Sequence, residues 1–252
     1  CQMNLLLHGL DSPQIDSGNS LRFKLSDIGE RERVDIILTN PPFGGEEEKG
    51  IQGNFPTDKQ TSETALLFLQ LIMRKLKRQP TSAGRPARAA VVVPNGTLFG
   101  DGVCGRVKAE LLKEFNLHTI VRLPNGVFAP YTGIPTNLLF FDRSGPTKDV
   151  WYYEQPLPEG RKNYTKTAPI QFEEFADCIA WWKKRKETDR AWKVSAKELI
   201  ANNCNLDRKN PSAKEDIAHL PPDLLAKSIL QKEQKIAEIV GRIQKLLAKH
   251  DA

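Results

Sequence analysis

The most distinctive group of residues in the chain is a turn that follows a short apolar run at positions 34–38. Its sequence is Thr39-Asn40-Pro41-Pro42-Phe43-Gly44-Gly45. Each proline lacks an N–H, fixes its own φ angle and restricts the residue before it, so the turn is stiff. It presents the Asn40 amide and bare main-chain carbonyls as hydrogen-bond acceptors. Phe43 adds a flat apolar face, and the two glycines let the backbone turn away.

These acceptors suit an exocyclic amino group on a planar ring, such as the N6 amine of adenine. If the Asn40 side-chain oxygen and the Pro41 carbonyl hold its two hydrogens, the nitrogen lone pair localises and can attack a methyl sulfonium in line. Positioning and electrostatics would then supply the catalysis without a strong base. Phe43 would stack on a base swung out of a duplex. A proline-rich turn that merely closes a strand is the alternative, and the aromatic residue with its glycine pair favours the chemical interpretation.

Alternating strand-like and helix-like segments must position this turn. Short apolar runs predict strands at residues 34–38, 89–93, 117–123, 137–142 and 150–153, and helical periodicity predicts helices at 63–77 and 103–115. Such alternation indicates βαβ units and a mostly parallel sheet. Ligands of such sheets lie beyond the carboxyl ends of the strands, so a motif directly after a strand is well placed for chemistry.

The composition changes after about residue 155. Residues 155–169 are typical of a linker and 201–211 of a loop, while 172–186 predicts a helix that ends in two tryptophans and a basic run at 183–186. We interpret that run as a solvated helix face with buried aromatic residues, although it could also grip phosphate. A terminal helix has an apolar seam at heptad-like spacing, formed by Leu225, Ile229, Ile236, Ile239, Ile243 and Leu246. We therefore predict two domains, at 1–155 and 156–252.

Composition excludes several classes of protein. No stretch approaches the length of a membrane span, and no leader follows Cys1, so we expect a cytoplasmic protein without a signal peptide. The absent initiator Met suggests a fragment. Four cysteines and four histidines are scattered, which predicts reduced thiols and no metal site. The net charge of +6 permits a polyanionic partner without demonstrating one.

Six ordered segments within residues 1–150 resemble one family of enzymes. They span residues 3–9, 18–21, 35–44, 92–99, 123–128 and 136–141. Together they are similar to the amino-group DNA methyltransferases that use S-adenosyl-L-methionine, and in particular to the modification subunits of type I restriction–modification systems. The resemblance implies an α/β, Rossmann-like class I methyltransferase sheet, incomplete at its N-terminus and followed by a mainly helical C-terminal tail. It also implies transfer of a methyl group to the N6 amine of a flipped-out adenine at specific DNA sites.

The resemblance assigns roles to individual residues. The catalytic segment would be Asn40, Pro41, Pro42 and Phe43. Residues at the cofactor would be Asn19, Ser20, Asn40 and Pro42, and those against the target base Phe43 and Phe128. Asn19 could instead be a plain turn residue, and Phe128 a core residue. The implied partners are double-stranded DNA, a specificity subunit whose helices meet the terminal helix, and a restriction subunit.

One part of the family pattern lies outside the sequence. The glycine-rich cofactor loop and the acidic residue for the ribose would precede Cys1. Residues 100–105 fit GxGxxG, but they lie too far past their strand, and the next strand ends without an acidic residue. Two alternative functions therefore stay open, a non-catalytic scaffold that binds DNA and partners, and a protein-glutamine N5-methyltransferase. The absent loop favours the scaffold, whereas the long tail and the segment 123–128 disfavour the glutamine enzyme.

Overall fold

A computed structural model describes residues 1–213 and 222–247. Six strands form one sheet in the order β1-β2-β4-β3-β5-β6. The strands are β1 Ile36–Thr39, β2 Arg88–Pro94, β3 Asn116–Arg122, β4 Thr136–Asp142, β5 Asp149–Glu154 and β6 Ala191–Ser195. The first five correspond to the five predicted strands.

The sheet is mixed. β1 pairs with β2, and β3 with β5, in parallel, whereas the other three pairings are antiparallel. The expectation of a mostly parallel sheet is therefore wrong for the pairings that involve β4 and β6. For β4, the physical reason is that a loop, and not a crossover helix, joins β3 to β4, so the chain returns antiparallel beside the strand it has just left.

Eight α-helices are present in the described part of the chain. They are α1 Gln2–Leu7, α2 Lys49–Gln52, α3 Thr64–Lys75, α4 Gly96–Phe99, α5 Val103–Glu114, α6 Ala176–Lys183, α7 Ala196–Ala201 and α8 Pro222–Leu247. Short 3-10 helices occupy Leu25–Asp27, Glu30–Glu32, Thr57–Lys59 and Phe172–Phe175. The predicted helices at 63–77 and 103–115 are confirmed as α3 and α5.

Apolar side chains cover both faces of the sheet. On one face, α3 and α5 pack against the strands through residues such as Leu69, Val107 and Ile120. On the other face, Val121 and its neighbours contact Trp181 of α6. Successive residues of a strand point to opposite faces, so the adjacent Ile120 and Val121 belong to separate clusters. The packed sheet thus holds in place the loops that follow the carboxyl ends of its parallel strands.

The chain divides into two compact units, residues 1–212 and 213–252. The predicted division at residue 155 does not coincide with this one. The first unit extends further because β6 adds to the edge of β5, and because the buried Tyr152 hydroxyl donates a hydrogen bond to the Leu206 carbonyl at 3.0 Å. In the second unit, α8 leaves the predicted seam about half exposed at Leu225, Ile229, Ile236, Ile239 and Ile243. No described helix is both long and apolar enough to cross a bilayer.

Candidate active site

The turn after β1 is held between that strand and the start of α3. The Gly45 carbonyl accepts a hydrogen bond from the Thr64 N–H at 3.4 Å, and the Glu47 N–H donates to the Ser62 carbonyl at 2.9 Å. Gly45 has a φ of +120°, and a Cβ there would lie 3.3 Å from Thr64 Oγ1. The second glycine of the turn is therefore needed for the chain to double back onto α3.

Exposure separates the four residues predicted to be catalytic. Asn40 and Pro42 are exposed, Phe43 is half-buried and Pro41 is buried. Pro41 therefore anchors the turn in the protein, while Asn40 presents its amide to solvent at the carboxyl end of β1. A ligand can reach this amide, which a role in binding an amine requires.

Phe128 meets Phe43 although the two lie on different loops. Their ring centroids are 4.8 Å apart, with an angle of 78° between the ring planes. This is the edge-to-face contact that aromatic pairs favour. The rings therefore touch each other and do not form a parallel slot. A planar base would contact this aromatic pair from one side.

Glycine at position 126 holds the loop that carries Phe128. Gly126 has a φ of +79°, and a Cβ there would come within 2.1 Å of Asn163 Oδ1 and 2.7 Å of the Tyr164 carbonyl oxygen. The Ala129 N–H then donates to the Gly126 carbonyl at 2.9 Å, which turns the chain toward Phe43. The position of Phe128 thus depends on the close approach of two backbone segments.

A cavity of about 640 Å³ borders β1 and its last residue, Thr39. Ser20 lines it, together with Ile37, Thr39, Phe68 and Leu71. Asn19 is not part of this lining, and its side chain instead accepts a hydrogen bond from the Leu21 N–H at 2.9 Å. Of the two residues predicted only for the cofactor, Ser20 therefore faces a ligand-sized space and Asn19 closes a local turn.

Phe68 and Thr39 were not among the predicted cofactor residues. Phe68 lies on α3 among buried neighbours, and its sequence pattern indicates only a core helix. An aromatic residue in the helix that follows the turn is the only sequence signal that could have found it, and its half-buried position is seen only in the structure. Thr39 directly precedes Asn40, so the cavity and the turn share one strand end.

A polar network at the same edge of the sheet was also missed. Asn137 Nδ2 donates to Asn95 Oδ1 at 3.2 Å, and Asn95 Nδ2 to Asp207 Oδ2 at 3.4 Å. Arg122 forms an ion pair with Asp207 at 2.8 Å. These contacts join the ends of β2, β3 and β4 to the segment around residue 207. The asparagines stand within segments 92–99 and 136–141, so their residue types were visible in sequence but their contact was not.

Comparison with known proteins identifies the family. A family model described as N-6 DNA Methylase matches residues 1–219. The chain belongs to the N-6 DNA methylase family. It is 51% identical to the type I restriction enzyme EcoEI methylase subunit of Escherichia coli, over 98% of this chain and 50% of that protein.

Solved structures support the same membership of the N-6 DNA methylase family. A modification subunit from Vibrio vulnificus YJ016, assigned to a type I restriction enzyme, is 63% identical with a TM-score of 0.81, over 86% of this chain and 46% of that one. The EcoKI M protein is 25% identical with a TM-score of 0.66, over 97% of this chain and 57% of that one. These matches confirm the predicted Rossmann-like methyltransferase fold with its helical C-terminal tail.

This N-6 DNA methylase chain spans about half the length of the curated EcoEI relative. Its β1 pairs with β2 on one side, and among the described residues no strand covers the other side. Leu38 is 77% exposed and Ile36 is 48% exposed on one face of β1. An open strand edge with exposed apolar side chains is a surface onto which a further strand can add.

The remaining candidate features of this N-6 DNA methylase chain are structural. Lys108 is fully buried, and its ammonium donates to the carbonyls of Leu98 and Gly100 at 2.9 and 2.8 Å. The Gly100 carbonyl, which begins the GxGxxG segment, is thus bound to α5 by a buried side chain. The predicted helix at 172–186 is shorter in the structure, because α6 ends at Lys183 and most of the basic run follows the helix. The three lysines of the run are exposed, and the Arg185 guanidinium lies 4.5 Å from the Trp182 ring. Among the described residues, no three His, Cys, Asp or Glu side chains form a metal-binding group.

Proposed function

We propose that the chain carries the target-base side of a DNA adenine-N6 methyltransferase within a type I restriction–modification complex. The observation that carries the proposal is the exposed Asn40 amide at the carboxyl end of β1, beside the contacting rings of Phe43 and Phe128. Membership of the N-6 DNA methylase family supports the same reaction.

In this proposal the turn binds and orients the adenine amine. Asn40 Oδ1 and the Pro41 carbonyl accept its two hydrogens, and the buried Pro41 ring keeps both acceptors in place. The aromatic pair contacts the flipped base and limits its rotation. S-adenosyl-L-methionine, when bound, supplies the activated methyl group. The chain contributes geometry, because the amine becomes acidic only as the methyl group arrives and no strong base is required.

The cofactor would lie on the cavity side of the turn. Ser20 and Thr39 offer hydroxyl groups there, and Ile37 and Phe68 offer apolar surface against which a purine ring could pack. The open edge of β1 would receive strands of a longer polypeptide, which carries the glycine-rich loop and the ribose-binding acid. Asn40 and Pro42 would then border both the cofactor and the target base.

The proposed partners are double-stranded DNA, a specificity subunit and a restriction subunit, in the cytoplasm. The half-exposed seam of α8, which Lys232 interrupts, is the surface we assign to the helices of the specificity subunit, since an apolar stripe on an exposed helix is suited to helix–helix packing. A solved structure with 40% sequence identity over 98% of this chain concerns complex assembly in a type I system.

The proposal is tested with Asn40→Ala in the full-length polypeptide assembled with its partners. Methyl transfer to duplex DNA should fall at least about a hundredfold, the loss seen when one preorganised hydrogen-bonding group is removed. Binding of the duplex should remain within about twofold of wild type. Asn202→Ala, at the exposed asparagine that directly follows α7, is the matched control and should leave both quantities unchanged.

Substrate comparison separates the proposal from its alternatives. The same assembly should methylate duplex DNA and not a glutamine-containing peptide. Full turnover by Asn40→Ala, or methylation of the peptide alone, would overturn the assignment. DNA binding without any methyl transfer by the wild-type assembly would instead favour the non-catalytic scaffold.

A further inference from the structure

A second cavity, of about 500 Å³, lies away from the candidate active site. Arg143 follows directly after β4, Phe115 directly precedes β3, and Arg74 is in the last turn of α3, and all three line this cavity. The first residue of β2, Arg88, pairs with the last residue of β4. The cavity is therefore at the amino ends of the parallel strands, whereas Asn40 is at the carboxyl end of β1.

The cavity is lined by more positive than negative charge. Four cationic side chains contribute to its wall, those of Lys24, Arg74, Arg78 and Arg143, against the carboxylates of Glu110 and Glu114. Glu110 is already bound to an ammonium outside the wall, that of Lys59, at 2.6 Å.

The four cations have little compensation from carboxylates. Within residues 1–213 and 222–247, Lys24, Arg74 and Arg143 form no ion pair, and Arg78 reaches Glu30 only at 3.7 Å. Glu30 is shared with a second guanidinium, that of the buried Arg33, at 3.2 Å. One carboxylate thus serves two arginines beside this wall.

Main-chain carbonyls hold two of the arginines in place. Arg74 donates to the Leu25 carbonyl at 2.9 Å, and Arg143 donates to the Met73 carbonyl at 2.8 Å while its guanidinium lies 4.3 Å from the Phe115 ring. Burial, and then the charge of a neighbouring arginine, lower the pKa of Arg33 and of Arg143. Several fixed guanidinium groups therefore repel one another around one space, and an anion in that space would relieve the repulsion.

We infer that this cavity binds a small phosphate-bearing ligand of the pyrophosphate type. Guanidinium groups match phosphate oxygens in geometry and form charge-assisted hydrogen bonds to them. The volume is in the range of small-molecule sites. A short oligophosphate fits the arrangement better than the backbone of a duplex, because the two carboxylates of the wall would repel a continuous line of phosphates. The inference is independent of the proposed methyl transfer, since the two sites are at opposite ends of the strands.

The inference is tested by isothermal titration calorimetry, in which inorganic pyrophosphate is added to the 252-residue chain. Arg78→Gln removes a cation whose side chain is 58% exposed, so the fold should persist, and it should weaken pyrophosphate binding about tenfold. Glu114→Gln removes a repelling carboxylate from the same wall and should tighten binding. Lys166→Gln, at an exposed lysine outside the cavity, is the control of equal charge change and should have no effect.

Opposite responses to Arg78→Gln and Glu114→Gln, with an unchanged control, would support the site. The inference would be overturned by an absence of pyrophosphate binding to the wild-type chain, or by an equal loss in Lys166→Gln. It would also be overturned if a 20-base-pair duplex, and not pyrophosphate, gave the binding that depends on Arg78.

Discussion

Substitution of Gly126 by alanine should disturb the aromatic pair without touching either ring. The glycine has a φ of +79°, a conformation that costs other L residues about 1–2 kcal/mol. The new Cβ would also lie 2.1 Å from Asn163 Oδ1 and 2.7 Å from the Tyr164 carbonyl oxygen. The asparagine side chain can rotate away, but the carbonyl belongs to the backbone, so the loop itself must move.

The two costs together set the expected magnitude. Forcing extra volume into a packed position adds about 1–3 kcal/mol, so the free energy of unfolding should fall by about 3 kcal/mol. For a unit of this size that corresponds to a decrease in Tm of roughly 6–12 °C. Because Phe128 is two residues further along the same loop, its contact with Phe43 should be lost, and methyl transfer by the full-length assembly should fall with it.

Thermal unfolding followed by circular dichroism measures the effect, and the same loop supplies the control. Gly133 has no atom within 4 Å of its would-be Cβ, so Gly133→Ala should change the unfolding free energy by less than about 0.5 kcal/mol. Adding Asn163→Ala to Gly126→Ala should recover only the side-chain part of the loss. Equal Tm values for Gly126→Ala, Gly133→Ala and wild type would refute the claim that close backbone approach positions Phe128.

Three further substitutions probe other parts of the structure. Burial and a neighbouring guanidinium lower the pKa of His118 from its ordinary 6.5 to about 4, so the unfolded chain takes up a proton over that range that the folded chain does not. The free energy of unfolding, measured with urea, should therefore fall by at most about 3 kcal/mol from pH 7 to pH 4 through this histidine. His118→Gln should remove that part of the pH dependence. Lys108→Met leaves two main-chain carbonyls without their donor and should cost about 2 kcal/mol in thermal unfolding, whereas Lys113→Met, at an exposed lysine of the same helix, should not. Leu38→Lys should change the Tm of this chain by less than about 1 °C, because the side chain is exposed. If strands of the full-length polypeptide add to β1, the same substitution should abolish cofactor binding by that polypeptide, measured by calorimetry.

Local features of the fold were predictable because their causes are local. Two prolines make the turn stiff wherever it lies, and an apolar run before it forms a strand in any sheet with a buried face. The spacing of apolar residues likewise predicts both helices, although only α5 has a single buried side, whereas α3 is buried around most of its circumference. β6 was not predicted, because its five residues lie between a basic run and a helix, and their alternation of apolar and polar residues is too short to stand out.

Contacts between distant segments could not be predicted in this way. The edge-to-face meeting of Phe43 with Phe128 requires the loop after β3 to lie beside the end of β1, and this depends on the order of strands in the sheet. The Asn95–Asp207 hydrogen bond joins residues 112 positions apart. For Asn19, the residue type allows both a ligand contact and a turn, and the structure adds a hydrogen bond from the Leu21 N–H to its side chain that the sequence did not show.

The amino-acid sequence by itself determined the chemistry that the chain can offer, an amide and an aromatic ring fixed at a strand end by flanking prolines and glycines. Backbone sterics act between neighbours, so that information is complete within a few residues. The tertiary structure decided which groups come into contact. It placed the aromatic pair near the carboxyl end of β1 and the arginine-lined cavity at the amino ends of the parallel strands. That choice follows from strand order and direction, which are set by the packing of the whole sheet against its helices and have no signature in local periodicity.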